Sequence, residues 1–534
     1  MSRPDPGRWL RRAIARVPPL GLTRLPDAPL PVVRDLWPGD PAAGAALLRG
    51  ERDLGGMVFH LTAASFADPD AGLPLMEAAH GFLWLRDLRA LGTDAARQQA
   101  RALVAAWMHT DPRQRDASKI STRPDIMASR LVAWLGHYDF FAASADDGFR
   151  QTLMQRLVAD ARTLSALLPA EEQDGRALTA LKGAIAAGVA LPEHGHLLAR
   201  ALRFLPQELA AQILPDGMHC ERSPSMLLAC LQDLLEIRSF LQSGQARVPP
   251  PLANAIERAL PVLRAMRHGD GRLALFNGSR EESPALIEAV LTQAGRGGRA
   301  PAILTSSGLA RLAAKRSVVI ADCGVPARDG LDRVAHAGTL SFEMSVGRDR
   351  MIVNCGAGPV GSRAWRDVAR ATAAHSTLVI ADTSSAELLE GGLGRRPTRV
   401  THQHQEASGA HLLEMAHDGW RLPFRAIHRR RLFLAASGDE LRGSDEIEAD
   451  EPQPFAIRFH LHPSVTVSLR GDGTAALLTL PNSGGWQLYA EGARLSLEES
   501  IYLGAPGLRK SEQVVLTGYQ DGPQTVKWAI TRLG

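Results

Sequence analysis

The sequence predicts a multidomain protein in which a helical N-terminal part precedes an antiparallel β-sandwich. With 534 residues, the chain is too long for a single compact core. Apolar residues follow a helical period up to about residue 300, and short β-branched segments follow from about residue 305. This order argues against a doubly wound α/β fold, in which helices and strands alternate. We expect a helical domain at residues 1–304 and a β domain at residues 305–534.

The helical part contains three similar segments, each with apolar residues at helical spacing around one tryptophan. Trp84, Trp107 and Trp134 lie 23 and 27 residues apart, which is about one helix and a connection. We therefore expect successive helices of a bundle or toroid, with the tryptophans filling its core. Further helices are predicted at residues 148–168, 175–190, 195–204, 224–242, 251–267 and 282–294.

The β part consists of short segments rich in β-branched residues and separated by Gly, Pro, Asp and Asn. Segments of this length and spacing predict an antiparallel sandwich. They are residues 317–322, 339–346, 350–354, 377–381, 411–416, 429–435, 456–462, 464–469, 475–480 and 514–517.

The composition is that of a folded globular protein, with 45% hydrophobic and 22% charged residues. A formal net charge of +4 is small for this length and gives little reason to expect nucleic-acid binding. Arginine supplies 56 of the 61 basic residues, and its planar fork suits bidentate contacts with carboxylates. The four cysteines show no metal-binding spacing, so we expect reduced thiols.

The N-terminus is basic, with arginines at positions 3, 8, 11, 12 and 16. No clear apolar region and cleavage site follow them, which argues against a secretory signal peptide. A basic amphipathic helix at a membrane surface is the alternative to a solvated first helix. No run of about eighteen apolar residues predicts a membrane span.

The first candidate site lies in the segment 215–232. A turn signal at Asp216–Gly217 precedes a helix start at Ser223, so His219, Glu221 and Arg222 fall in a loop before a helix N-terminus. Ionisable groups at such a place can bind an anion and transfer protons. Alternatively, Glu221 caps the helix while His219 and Arg222 are solvated.

Two further histidines each precede a predicted strand. His336 lies before the segment 339–346, and His375 follows Arg363, Arg366 and Arg370. Arginine forks beside a histidine can hold a carboxylate while the ring moves a proton. A structural histidine at the mouth of a strand is the alternative in both cases.

Two pairs of alternating histidines, His402 with His404 and His460 with His462, would share one face of a strand and offer two metal ligands each. A third ligand is not identifiable for either pair. The common nucleotide, hydrolase and zincin motifs are absent from the sequence.

Three blocks together resemble the heparinase II/III family of polysaccharide lyases. They are the loop DGMHCERSP, the segment HAGTLSFEMSVG with the RMIVNCG that follows it, and RATAAHSTLVIAD. The resemblance extends over about residues 80–530 in the family's order. It implies an N-terminal (α/α) incomplete toroid followed by a C-terminal antiparallel β-sandwich. The implied chemistry is β-elimination at a 4-linked uronic acid.

The resemblance also implies roles for individual residues. His219 falls where the family places a residue near the uronate carboxylate. His336 and His375 fall where it places sandwich histidines that serve catalysis or metal binding. The leaving oxygen needs an acid, often a tyrosine in such enzymes, and Tyr138 is the only tyrosine of the helical part.

The chain departs from the family's pattern at three positions. Val334 occupies the place of a second histidine, Gly338 stands where an aspartate is common, and Asn354 stands where an aspartate often completes a metal site. A Zn²⁺ or Ca²⁺ ion held by His336, Asn354 and His375 would therefore lack its carboxylate ligand.

Our leading hypothesis is a polysaccharide lyase acting on an acidic, uronate-containing polysaccharide or oligosaccharide. The predicted substrate-binding residues are Glu221, Arg222, Arg363, Arg366 and Arg370. One alternative is a catalytically impaired glycan-binding or scaffold protein of the cell envelope. Another is a toroid glycoside hydrolase with Asp216 and Glu221 as paired carboxylates. The family suggests the periplasm or cell envelope, whereas the N-terminus and the unpaired cysteines favour the cytoplasm.

Overall fold

The computed structural model describes residues 25–68, 70–192, 194–295, 297–358, 362–471 and 473–534. The basic N-terminal segment interpreted above lies outside these residues. The chain forms two units whose segments alternate along the sequence. The helical unit contains the chain up to Gln212, Cys230–Ile256 and Thr292–Ala294. The sandwich unit contains Ile213–Ala229, Glu257–Leu291 and Gly295–Gly534.

The helices of the described chain largely match the predicted segments. The α-helices are Pro41–Leu48, Leu73–Gly81, Leu85–Leu91, Asp94–His109, Pro112–Arg115, Pro124–Gly136, Tyr138–Phe141, Asp147–Ala166, Gly175–Ala190, Gly195–Gln212, Pro224–Ser243, Pro250–Ala265, Pro284–Ala294, Arg363–Arg370 and Arg421–Phe424. Side-chain caps define several starts: Asp146 accepts a hydrogen bond from the Phe149 N–H at 2.8 Å, which satisfies a free donor of the first turn.

The three tryptophans lie in the core of the helical unit, which confirms the prediction. Trp84, Trp107 and Trp134 are all buried. The ring centroids of Trp107 and Trp134 are 5.3 Å apart, with the planes at 83°. The buried guanidinium of Arg130 lies 4.3 Å from the Trp107 ring centroid and donates to Asp160. An edge-to-face aromatic pair with a stacked cation therefore fixes the packing of these helices.

The sandwich unit contains two large antiparallel sheets and one short two-stranded sheet. The strands from residue 303 onward are β3 Ile303–Leu304, β4 Leu309–Ala314, β5 Ser317–Asp322, β6 Phe342–Val346, β7 Asp349–Val353, β8 Leu378–Ile380, β9 Leu388–Leu389, β10 Gly392–Leu393, β11 Val400–Ala407, β12 Ala410–Trp420, β13 Ala426–Leu434, β14 Glu440–Glu448, β15 Gln453–Leu461, β16 Thr466–Leu469, β17 Ala475–Leu480, β18 Gly484–Glu491, β19 Arg494–Tyr502, β20 Arg509–Gln520 and β21 Gln524–Arg532. Within its described residues, the helical unit adds only the short hairpin of β1 Glu51–Asp53 and β2 Val58–His60.

The larger sheet has nine strands and includes the order β19-β20-β15-β7-β6-β5-β4-β3, with β8 paired to β15. The other has eight strands in the order β11-β12-β13-β14-β21-β18-β17-β16. Their apolar faces share one core, in which Phe342, Phe459 and Trp528 pack ring to ring. A helical part followed by antiparallel sheets confirms the predicted fold class.

A buried ion pair lies within this core. Arg430 and Asp445 face inward from β13 and β14, and the Arg430 Nε–H donates to Asp445 at 2.7 Å. The Nη1 group of Arg430 also donates to the carbonyls of Leu340 and Ser376, at 3.0 and 2.9 Å. The pair therefore fixes the two loops that lead from His336 and His375 into their strands.

The structure differs from the sequence prediction at the start of β6. The strand begins at Phe342 rather than at residue 339, because Leu340 has a positive φ of 64° and the Ser341 N–H donates back to the Gly338 carbonyl. The predicted boundary at residue 304 is also simpler than the observed division. The segments 213–229 and 257–291 belong to the sandwich unit.

Among the described residues, no helix is both long enough and apolar enough to cross a membrane. The four cysteines are buried and form no disulfide.

Candidate functional site

Two predicted site histidines contact each other directly. His336 Nδ1 and His375 Nε2 lie 3.0 Å apart, and His375 Nδ1 lies 2.8 Å from the Ala371 carbonyl oxygen. Since a carbonyl only accepts, His375 carries its proton on Nδ1 and accepts at Nε2 from His336. The other ring nitrogen of His336 accepts the Gly278 N–H at 3.0 Å. All four ring nitrogens therefore take part in one chain of hydrogen bonds.

Burial keeps both rings neutral. It lowers the pKa of His375 to about 4. Burial, together with the positive charge that His375 and Arg370 can carry, lowers the pKa of His336 well below its ordinary value. Near neutral pH the pair is therefore uncharged, and both free lone pairs are already used by protein donors.

Asn354, the third predicted metal ligand, is also engaged by the protein. Its Oδ1 accepts the Ser376 N–H at 3.0 Å, and its amide points toward the Leu275 carbonyl at 3.5 Å. In this arrangement His336, Asn354 and His375 do not offer a set of free donor atoms. Within the described ranges, no three His, Cys, Asp or Glu residues are grouped so as to hold a metal. The metal site of His336, Asn354 and His375 stays a prediction.

His219 and Glu221 lie in a buried loop of the sandwich unit, and neither side chain is exposed. The Glu221 N–H donates to His219 Nδ1 at 3.3 Å, and this nitrogen lies 3.9 Å from the Glu221 carboxylate. The alternative that His219 and Arg222 are solvated is therefore wrong. Asp216, at the start of the loop, accepts from the backbone N–H groups of Ser306 and Ser307, at 2.9 and 2.7 Å.

Arg222 lies at a helix start in the left-handed conformation, with φ of 57°. Its guanidinium donates to the carbonyl of Ser307 at 2.6 Å and to Asp322 Oδ1 at 2.5 Å. A further contact reaches the Gly308 carbonyl at 3.3 Å. The side chain thus ties the loop to β5, and its charge is balanced by Asp322.

The three predicted arginines of the helix Arg363–Arg370 do not act together. Arg370 is buried and donates to the carbonyls of Ala335, Leu389 and Gly392, at 2.9, 2.8 and 2.5 Å. It therefore holds the backbone next to His336 rather than facing solvent.

Arg363 and Arg366 lie at the surface of the same helix. Arg363 pairs with Glu390 at 3.3 Å, and Arg366 lies 3.6 Å from Asp367. These two guanidinium groups remain accessible to an external carboxylate, because exposed ion pairs of this kind are weak.

Sequence reasoning missed a buried network around Glu343. In a half-buried strand this residue would lie on the polar side, yet β6 is buried on both faces. One oxygen of Glu343 lies 3.0 Å from His268 Nε2, and the other accepts the Asn354 N–H at 2.8 Å. His268 also contacts Ser345 Oγ at 2.8 Å, and burial lowers its pKa. The only available signal was an ionisable residue inside an otherwise apolar and serine-rich strand.

A second buried cluster that the sequence patterns did not indicate contains a tyrosine. The Tyr502 hydroxyl donates to Glu281 at 2.5 Å, and Arg272 donates to the other oxygen of that carboxylate at 3.0 Å. Burial and the adjacent carboxylate raise the pKa of Tyr502, although Arg350 opposes this. The burial and the carboxylate therefore favour the protonated form of this phenol.

Tyr138, the predicted catalytic acid, belongs to the helical unit. It starts the short helix Tyr138–Phe141, and burial raises its pKa. Its hydroxyl has no hydrogen-bond partner among the described residues. The side chain lines a cavity of about 620 Å³ with His137 and Asp35.

Sequence profiles of one family match most of the chain. The profile described as Heparinase II/III N-terminus matches residues 89–296, and that described as Heparinase II/III-like, C-terminal matches residues 296–529. FtsZ-localized protein C of Caulobacter vibrioides is 32% identical over 555 aligned positions, which cover 98% of this chain and 92% of that protein.

Solved structures of similar fold include a heparinase and a heparan sulfate lyase. Heparinase III superposes with a TM-score of 0.74 at 13% identity, covering 98% of this chain and 89% of that one. A heparan sulfate lyase of Pedobacter heparinus superposes with a TM-score of 0.60 at 15% identity, covering 98% and 87%. At this identity the likeness concerns the fold alone.

Proposed function

Because the chain belongs to the heparinase II/III family, we propose that it uses a polysaccharide-lyase fold to bind an acidic glycan without cleaving it. The hydrogen-bond chain through His336 and His375 carries this proposal. β-Elimination needs a base with a free lone pair beside the C5 proton. Neither ring has one in this arrangement.

The positive groups support the same conclusion. The reaction also needs donors that neutralise the uronate carboxylate as charge develops next to it. Of the predicted arginines, Arg222 and Arg370 are bound to protein oxygens. Arg363 and Arg366 remain accessible at the surface, where they suit attraction of an acidic chain better than stabilisation of an intermediate.

The residue at position 334 is consistent with a chain that binds a glycan without cleaving it. Val334, in the place of the family's second histidine, packs against Gly278, where an added Cβ would lie 3.1 Å from the valine Cβ. An aliphatic side chain at this position supplies neither a base nor a ligand.

The second candidate is the lyase itself. Its support is the likeness of the fold to heparinase III and to a heparan sulfate lyase. A lyase would require the His336–His375 contact to open when substrate binds, so that one ring nitrogen becomes a base.

One assay separates the two candidates. The purified chain is mixed with heparan sulfate, hyaluronate, alginate and polygalacturonate, while ultraviolet absorbance reports unsaturated ends and calorimetry reports binding. We expect saturable binding to at least one polymer and a flat absorbance trace. A sustained rise in absorbance refutes the binding proposal. His375→Asn then serves as the control, because activity from a contaminating lyase would persist in that variant.

The name of the relative FtsZ-localized protein C supports a proposal about where in the cell this protein acts. We propose that this chain is also recruited with FtsZ. A fluorescent fusion expressed at native level tests this by co-localisation with labelled FtsZ. A uniform signal in dividing cells would contradict it.

A further inference from the structure

The outer face of the eight-stranded sheet carries a continuous row of side chains across five strands. The register pairs Leu412 with Phe433, Phe433 with Arg442, Arg442 with Ala529, and Ala529 with Tyr489. Directly opposite residues of an antiparallel sheet point to the same face. Since neighbouring strands lie about 4.8 Å apart, the row is roughly 19 Å long.

A second row runs beside the first, because residues two apart on a strand share a face. The register pairs Arg431 with Ser444, Ser444 with Lys527, and Lys527 with Glu491. Arg431 and Lys527 are exposed, so this row presents two long cationic side chains next to the first row.

The side chains of these two rows line a depression, which we call the outer groove. Its middle is made by the short side chains of Ala529 and Ser444, whereas Phe433 and Tyr489 stand on either side. The cavity measures about 350 Å³. Tyr489 is 39% exposed, so its ring is accessible to a ligand.

Two of the three cationic side chains at the outer groove have ion-pair partners, and Glu491 adds a carboxylate to its lining. Arg431 pairs with Glu414 at 2.8 Å, and Arg442 pairs with Glu440 at 2.7 Å while lying 5.7 Å from the Phe433 ring centroid. Lys527 has no ion-pair partner among the described residues. Exposed ion pairs contribute little, so the two arginines can exchange their partners for a ligand carboxylate.

We propose that the outer groove binds hexuronate units of an acidic glycan, an inference that rests on the proposed function. Phe433 and Tyr489 offer rings to the apolar faces of pyranose rings, and the short side chain of Ala529 beside Tyr489 leaves room for one sugar. Lys527 and the two arginines supply the donors for carboxylates along the chain. The first row crosses five strands and is about 19 Å long, which matches the length of several linked sugars rather than one small molecule.

The test measures the affinity of the full-length chain for a polyuronate and for neutral dextran. Tyr489→Ala and Lys527→Gln each change one exposed side chain, so both variants are expected to fold. We expect each to weaken polyuronate binding about tenfold, the size of one aromatic or charged contact. The matched controls are Tyr519→Ala and Lys510→Gln, exposed residues of β20 in the other sheet, which should bind like wild type.

The outcomes separate the two proposals. If wild type binds the polyuronate and both groove variants match it, the outer groove is not the site, although the proposed function stands. If wild type binds no glycan in the panel, the proposed function itself fails. If dextran binds as well as the polyuronate, the hexuronate assignment is wrong. Single-stranded DNA bound with the same sensitivity to Lys527→Gln would make the groove a general polyanion surface and also overturn the assignment.

Discussion

His336 donates from Nδ1 to Nε2 of His375 over 3.0 Å, and this contact couples the protonation of two buried rings. Protonating His375 at Nε2 would place two N–H groups face to face across the same distance. The pair is thus stable only while both rings are neutral.

Acid should destabilise the fold through these rings. Burial lowers the pKa of His375 to about 4, whereas a histidine in an unfolded chain titrates near 6.5. Below about pH 6.5 the unfolded chain takes up a proton that the folded protein does not. The stabilisation is therefore complete above that pH and decreases toward pH 4. At about pH 5 the expected loss from His375 alone is about 2 kcal/mol.

Urea unfolding at about pH 7.5 and about pH 5 measures this loss. The variant His375→Asn should show a smaller difference between the two conditions. His109→Asn, a change at an exposed histidine, should keep the wild-type difference. Equal unfolding free energies of wild type at the two pH values would contradict the coupling.

The buried Arg430–Asp445 pair should be essential to the sandwich. Asp445 also accepts from His428 at 2.7 Å and from the Trp528 indole at 2.8 Å, so its loss leaves these two donors and the Nε and Nη2 donors of Arg430 without their acceptor. Asp445→Ala should cost about 3–5 kcal/mol of unfolding free energy. Glu448→Ala removes the exposed partner of Arg429 on the same two strands and should cost less than about 1 kcal/mol. Thermal unfolding compares them, and similar losses would refute the argument.

A methyl group at position 338 should disturb the histidine pair. A Cβ on Gly338 would lie 2.6 Å from the His375 ring, closer than real carbon atoms approach. Gly338→Ala should therefore destabilise by about 1–3 kcal/mol and shift the His375 ring signals in NMR spectra. Gly391→Ala is the control, because an added Cβ there meets nothing within 4 Å. Unchanged ring signals in Gly338→Ala would show that the contact relaxes elsewhere.

The helical unit depends on one buried lysine. Lys182 Nζ lies 2.6 Å from Asp233 and 2.7 Å from Glu236, and both carboxylates raise its pKa against the opposing effect of burial. Lys182→Met leaves two buried carboxylates without their cation and should cost about 3–5 kcal/mol. Lys119→Met is the exposed comparison. Circular dichroism during heating gives both values, and a neutral effect of Lys182→Met would argue that the carboxylates become protonated instead.

Sequence patterns predicted the helices and the tryptophan core because helical periodicity reports directly on which face is buried. They predicted fewer strands than exist. β18 and β19 contain many polar residues, since one face of each is exposed, and their apolar signal was too weak. The resemblance to the family drew attention to His336 and His375, which the structure brings together.

The sequence could not show whether the ring nitrogens of His336 and His375 are free or already hydrogen-bonded. Whether a ring nitrogen is free depends on a backbone N–H at Gly278 and a carbonyl at Ala371, and neither group has a side-chain signature. His268 and Glu343 were missed for a related reason. They are 75 residues apart in the chain, and only the folded backbone makes them neighbours.

Gly338 also constrains which amino-acid substitutions this protein can accept. The His375 ring fills the room in which an aspartate, common in the family at this position, would begin its side chain. Introducing that aspartate first would place it against the ring, and moving the ring first would break its hydrogen bonds to His336 and Ala371. Each single step toward the aspartate is therefore unfavourable by itself. Because of this close packing, an aspartate at position 338 requires two coordinated substitutions.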